Sequence, residues 1–236
     1  MKNTLKIERY TVMTDTIEQA YPNQSAYLEA LFPEYQQIQQ MRTYAQDHHI
    51  PVITPEIASA LRLIAQLTQP KKILELGTAI GVSTATFAEA LPNTLIVSVE
   101  LNDQRFRLAN QFLQPWLLKE RVVLLQEDIR SANFWTHPQL TEDSYDLIFV
   151  DAAKGQYLFL LEKLWARLSV GGVMIFDDVL QHGWVATLNY PNHRQKTAVM
   201  RLRQFMRHVT QNKNAHILPI DDGLLVLVKE GKESDE

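Results

Sequence analysis

A chain of 236 residues with no cysteine cannot form disulfides or thiolate zinc sites, and it lacks the nucleophile that covalent carbon-5 methylation of pyrimidines needs. Its formal net charge of -4 excludes a general polyanion-binding coat, so any contact with nucleic acid must come from a local patch. The length suits one α/β domain with a full core, and with no long apolar run, signal peptide, lipidation motif or repeat the expectation is a soluble, cytoplasmic protein without membrane contact.

In chain order, residues 1–21 read as a polar, loosely ordered arm, 22–230 as a single domain opening with helices, and 231–236 as a disordered charged tail. Helices are predicted over Ser25–Phe32 and Glu34–His48, on either side of Pro33. His48 and His49 are adjacent, point apart on a helix, and so read as surface residues rather than a metal pair. Thr54-Pro55-Glu56 is a helix start, a capping hydroxyl followed by proline in the first turn. Ile57, Leu61, Ile64 and Ala65 then share one face, which should pack on a sheet, and Gln69-Pro70 ends the helix.

The run Ile73–Leu76 meets the turn Gly77-Thr78-Ala79-Ile80-Gly81, and helix-forming residues follow from Val82 to Ala90: strand, tight turn, helix. Glycine there lets backbone amides approach a ligand, although an ordinary strand-helix corner has the same pattern. Neither phosphate-binding fingerprint is met, and Glu75 stands just before the turn. An acid in that place suits a cationic ligand such as S-adenosylmethionine (SAM), with its ammonium and sulfonium groups. A second β-branched run, Thr94–Val99, ends in Glu100, placed to accept hydrogen bonds from ribose hydroxyls. After a helix over Asn102–Leu113 and a third strand at Arg121–Leu125, Asp128 can take an adenine amino group while Ile129 covers the ring; the alternative for Asp128 is a helix cap. Strands at Tyr145–Val150 and Val170–Phe176 continue the alternation, which predicts a parallel sheet with helices on both faces, and Ala215–Ile220 with Leu224–Lys229 reads as an antiparallel hairpin.

Three acids stand at strand exits: Asp151, Asp177 and Asp178. Converging carboxylates repel unless neutralised, and a hard divalent cation prefers such oxygen ligands; helix capping is the other reading. Lys154, three residues after Asp151, is either solvated or, beside a metal and a sulfonium, a lysine of lowered pKa able to act as general base.

Taken together, Glu75–Gly81, Glu100, Asp128, Asp151-Ala152-Ala153-Lys154-Gly155-Gln156-Tyr157 and Asp177-Asp178-Val179-Leu180 resemble the cation-dependent, class I SAM-dependent O-methyltransferases, the catechol and caffeoyl-CoA group. Within that group the DAAKGQY segment, His48–Val52 and Pro219–Leu224 look most like the bacterial tRNA 5-hydroxyuridine methyltransferases, which make 5-methoxyuridine at the wobble position. The resemblance covers about Met13 to Lys229. It implies a Rossmann-like fold with a mostly parallel seven-stranded sheet, and a homodimer. It further implies SAM contacts at Ile53, Ser83, Glu100, Asp128, Ile129 and Asp151, joining Glu75 and Gly77 of the turn, and Mg²⁺ held by Asp151, Asp177 and Asp178, with Lys154 as base. The family usually has asparagine where Asp178 stands, a change that makes the site more negative and leaves Ca²⁺ or Mn²⁺ open as the metal.

The implied partner is a tRNA anticodon loop. Between Tyr190 and Asn214 the chain carries Arg194, Lys196, Arg201, Arg203, Arg207 and Lys213 and no acid, a local basic surface attractive to phosphate or else a solvated face. Tyr157 and Trp184 are candidate platforms for unstacked bases. The alternatives are a small-molecule catechol or phenylpropanoid O-methyltransferase and a non-catalytic SAM- or RNA-binding protein.

Overall fold

Near-continuous apolar runs in the central strands, separated by helices, produce a sheet covered on both sides. The computed structural model describes residues 24–141, 144–190, 193–211 and 214–231; the arm over residues 1–21 and the tail from residue 232 lie outside them. Helix α1 (Gln24–Leu31) belongs to an N-terminal unit ending at Gln36, and the unit from Gln37 onward carries the rest of the fold. Its elements are α2 (Gln36–Asp47), α3 (Pro55–Thr68), β1 (Lys72–Leu76), α4 (Val82–Ala90), β2 (Leu95–Glu100), α5 (Asp103–Phe112), α6 (Gln114–Leu117), β3 (Val122–Gln126), α7 (Pro138–Thr141), β4 (Tyr145–Val150), α8 (Tyr157–Trp165), β5 (Leu168–Phe176), α9 (His193–Val209), β6 (Ala215–Leu218) and β7 (Leu224–Val228).

The sheet has seven strands in the order β3-β2-β1-β4-β5-β7-β6. β1 through β5 pair in parallel and β7 is antiparallel to both β5 and β6, as the alternation and the hairpin predict. Successive residues of a strand point to opposite faces. Ile73, Ile96, Leu147 and Phe149 accordingly join one core with α3 and α4, while Leu74, Val97, Ile148 and Val150 join the other with α8 and α9.

Local signals set the boundaries. Thr54 caps α3 by accepting from the Ile57 amide at 3.3 Å, Pro55 fills the first turn, and Gln69 closes it in the left-handed region at φ 46°. The fifth strand begins at Leu168, earlier than predicted: Gly171 at φ 78° absorbs a register shift against β4, so the glycine pair lies within the strand instead of leading it. Among the described residues no helix is long and apolar enough to cross a membrane.

Candidate functional site

The carboxyl ends of β1, β4 and β5 are tied in sequence: the Asp151 amide donates to Leu76 O at 2.9 Å and the Asp177 amide to Val150 O at 3.0 Å. Gly77, at φ 106°, turns so tightly against the β4 exit that a Cβ there would lie 2.0 Å from the Asp151 carbonyl oxygen. A cavity of about 480 Å³ opens over these ends, within the range of small-molecule sites. Its lining includes Ile53, Gly77, Glu100, Asp128, Ile129, Asp151, Lys154, Asp177 and Asp178, so most of the residues singled out in the sequence share one space.

Glu75 and Ser83 are buried and stand outside that lining. Alternation turns Glu75 beneath α4, where its Oε2 accepts from the hydroxyls of Thr84 and Ser98, while Oε1 has no partner among the described residues. Burial raises its pKa against the pull of the hydroxyls of Ser83, Ser98 and Thr84. Glu100 is aimed by two backbone amides, Ala79 N onto Oε2 at 2.8 Å and Asn102 N onto Oε1 at 2.7 Å. Asp128 faces the cavity but is held by Arg130, which donates from its backbone amide and its guanidinium and keeps the carboxyl below the usual range. The lining also brings in Arg105 and Arg130, which the sequence reading did not select, and Gln156 and Asp221, which it quoted within motifs but gave no site role. Only their spacing from a strand end or hairpin turn could have pointed to them.

On the other side of the cavity, Lys154 Nζ lies 2.5 Å from Asp178 Oδ2 and 3.3 Å from Asp151 Oδ1. Burial works against the ammonium, but the Asp151 and Asp178 carboxylates outweigh it and hold the Lys154 pKa above the ordinary lysine value; the lowering expected from the sequence belongs to a site that also holds a cation and a sulfonium. Asp177 is 4% exposed, and burial together with Asp151 and Asp178 pushes its carboxyl up to about 7. Asp178 adopts φ 55°, in the left-handed region that aspartate and asparagine tolerate better than most residues.

The basic stretch is less free than its composition suggests. α9 packs against the single helical turn at Lys154–Gln156, and Arg201 Nη1 reaches Gly155 O at 3.4 Å. Arg203, predicted as an RNA contact, spends its guanidinium on the carbonyls of Trp184, Val185 and Thr187 and on Tyr190 Oη, with its charge 4.8 Å from the Tyr190 ring centroid. Lys196 sits 5.4 Å from the same ring. The Arg194 side chain lies outside the described residues. Tyr157 is not a stacking platform: it is fully buried, donates to Asp177 O at 2.8 Å and packs with Phe176 and Phe205. Trp184 is half-buried.

The O-methyltransferase family model matches residues 23–230. The chain belongs to the O-methyltransferase family. It is 26% identical to "Probable caffeoyl-CoA O-methyltransferase 2" of Dictyostelium discoideum, over 78% of this chain and 79% of that protein. It is 35% identical to a catechol O-methyltransferase of Niastella koreensis, over 58% of this chain and 62% of the relative. A solved structure from Staphylococcus aureus, a candidate caffeoyl-CoA O-methyltransferase, superposes with a TM-score of 0.74 at 25% identity, over 81% of this chain and 91% of that one.

In this O-methyltransferase, no group of three or more His, Cys, Asp or Glu among the described residues is gathered as a metal cage. The donor set nonetheless suits a hard divalent cation. Its side chains offer oxygen alone, and Asp177 carries a raised pKa through burial first and through the neighbouring Asp151 and Asp178 carboxylates second. Asp151, Asp177 and Asp178 are the residues that would hold such an ion.

Proposed function

We propose that the protein transfers a methyl group from SAM to the 5-hydroxyl of 5-hydroxyuridine at the wobble position of tRNA. SAM dependence follows the family, and the 480 Å³ cavity supports it with Glu100 and Asp128 on one wall and the Lys154 cluster on another. The observation that carries the RNA reading is the packing of α9, which has no acidic residue, against the Lys154 turn. A polyanion lying along that helix would present a base to the cavity.

A divalent cation, when bound, supplies positive charge that lowers the pKa of a nearby substrate hydroxyl. The remaining work belongs to the chain. Glu100 and Asp128 fix the nucleoside half of SAM, and Gly77 admits it against the β1 turn. Lys154 Nζ accepts the substrate proton once Asp151 and Asp178 no longer hold it in the ammonium form. The oxyanion attacks the SAM methyl, an O–CH₃ bond forms as the S⁺–CH₃ bond breaks, and S-adenosylhomocysteine leaves. Most of the acceleration comes from holding the two reactants at near-attack distance.

A second reading, a small hydroxyaromatic as acceptor, draws on the names of the catechol and caffeoyl-CoA relatives. Nucleoside mass spectrometry after incubation with SAM, Mg²⁺ and tRNA bearing 5-hydroxyuridine, beside a catechol assay, separates the two. Conversion to 5-methoxyuridine is expected, reduced about 10²- to 10⁴-fold by Lys154→Ala. Turnover of catechol with unmodified tRNA would transfer the assignment to the small molecule.

A further inference from the structure

Lys154 lines two spaces at once. One is the central cavity; the other is an outer depression of about 370 Å³, whose lining also includes Gln156, Glu162, Arg201 and Gln204. Its ammonium now sits in the inner space, bridging Asp178 at 2.5 Å and Asp151 at 3.3 Å. This is not a solvated surface pair, for the three side chains are only 26%, 34% and 28% exposed respectively. Lysine is a compact point charge on a flexible stem, and it can leave one partner for another without moving the backbone.

We infer that Lys154 is an internal competitor for the divalent-cation site: its ammonium and a cation take the same Asp151 and Asp178 oxygens, so that cation binding frees Lys154 from both carboxylates within the cavity. The inference rests on the cation reading of the site given above. Two positive charges cannot share those oxygens without strong repulsion, because a few ångströms of partly desolvated space screens them poorly. Cation entry and release of the lysine are therefore one event, and Lys154 becomes available to a substrate only in the cation-loaded site. Arg105 also favours the charged form of Asp151, but through space rather than by contact, which makes it the natural control.

The test measures Mn²⁺ binding to the full chain by electron paramagnetic resonance titration, without substrate or turnover. Lys154→Gln and Lys154→Met are each expected to bind Mn²⁺ at least about tenfold more tightly than the unmodified protein, and either suffices if the other does not fold. Lys154→Arg keeps the charge and should stay near the unmodified affinity, and Arg105→Gln should change it by less than about threefold. Equal affinities for the unmodified protein and Lys154→Gln would overturn the competition while leaving methyl transfer standing. So would a gain from Arg105→Gln as large as that from Lys154→Gln, or tight binding by Lys154→Arg. Failure of every variant to bind Mn²⁺ would overturn the inference and the cation reading together, leaving family membership untouched.

Discussion

Glu75 and Asp177 are buried carboxylates near the carboxyl edge of one sheet, and they are accommodated in opposite ways. Beneath α4, Glu75 is met by neutral donors: Thr84 and Ser98 donate to one oxygen, and Thr78 Oγ1 stands 2.6 Å from Ser98 Oγ behind them. At the exits of β4 and β5, Asp177 is crowded by Asp151 and Asp178, and the neutralising charge comes from a lysine on a flexible stem. The first arrangement is a buried hydrogen-bond network of neutral donors on one carboxylate oxygen, the other having no partner among the described residues. The second keeps unbalanced charge beside a cavity, the condition a site needs if it is to receive something charged.

The contrast breaks most visibly at Glu75. Glu75→Ala should remove the shared acceptor of two buried hydroxyls, open a cavity and cost about 2–4 kcal/mol in denaturant unfolding; a cost below about 1 kcal/mol would mean that the network is dispensable. Asp177→Asn should behave oppositely. Because the folded pKa of Asp177, about 7, is raised above the ordinary aspartate value of 3.8, the folded state binds the proton more tightly than the unfolded state. The group's contribution therefore falls as pH rises from about 4 through 7. In chelator-treated protein the asparagine variant is thus expected to gain about 1–3 kcal/mol relative to the parent at pH 8 and little at pH 4, read as a pH-dependent difference in melting temperature. A pH-independent difference would rule out the crowding. The smallest effect is expected from Ser98→Ala, about 1 kcal/mol, since Thr84 still serves the same Glu75 oxygen.

Much of this frame was legible before the structure. Periodicity and punctuation located β1, α4, β4 and the closing hairpin nearly residue for residue, because those signals are local: a glycine turn, a Thr-Pro cap, an apolar run of strand length. Strand-exit position also collected the acids and Lys154 around one cavity. What failed was whatever depended on a distant partner. Tyr157 follows a polar loop and reads as exposed, yet the first turn of α8 points it at Phe176 and Phe205. Arg203 reads as free positive charge, and its partners are backbone carbonyls of a segment whose path the sequence does not encode in its residue types. The direct contacts of Lys154 with two carboxylates were likewise not legible, being a matter of ångströms rather than of composition.

The slot between Gly77 and the Asp151 carbonyl has a consequence for how this enzyme can change. With no room for even a methyl group, the turn that would cradle one reactant and the strand end that bears the first acid are mechanically a single part. Variation that retunes the acceptor side by shifting the β4 exit would jam or loosen the opposite seat at the same time. New acceptors would therefore be more readily reached through the outer face of α9, which takes no part in that slot.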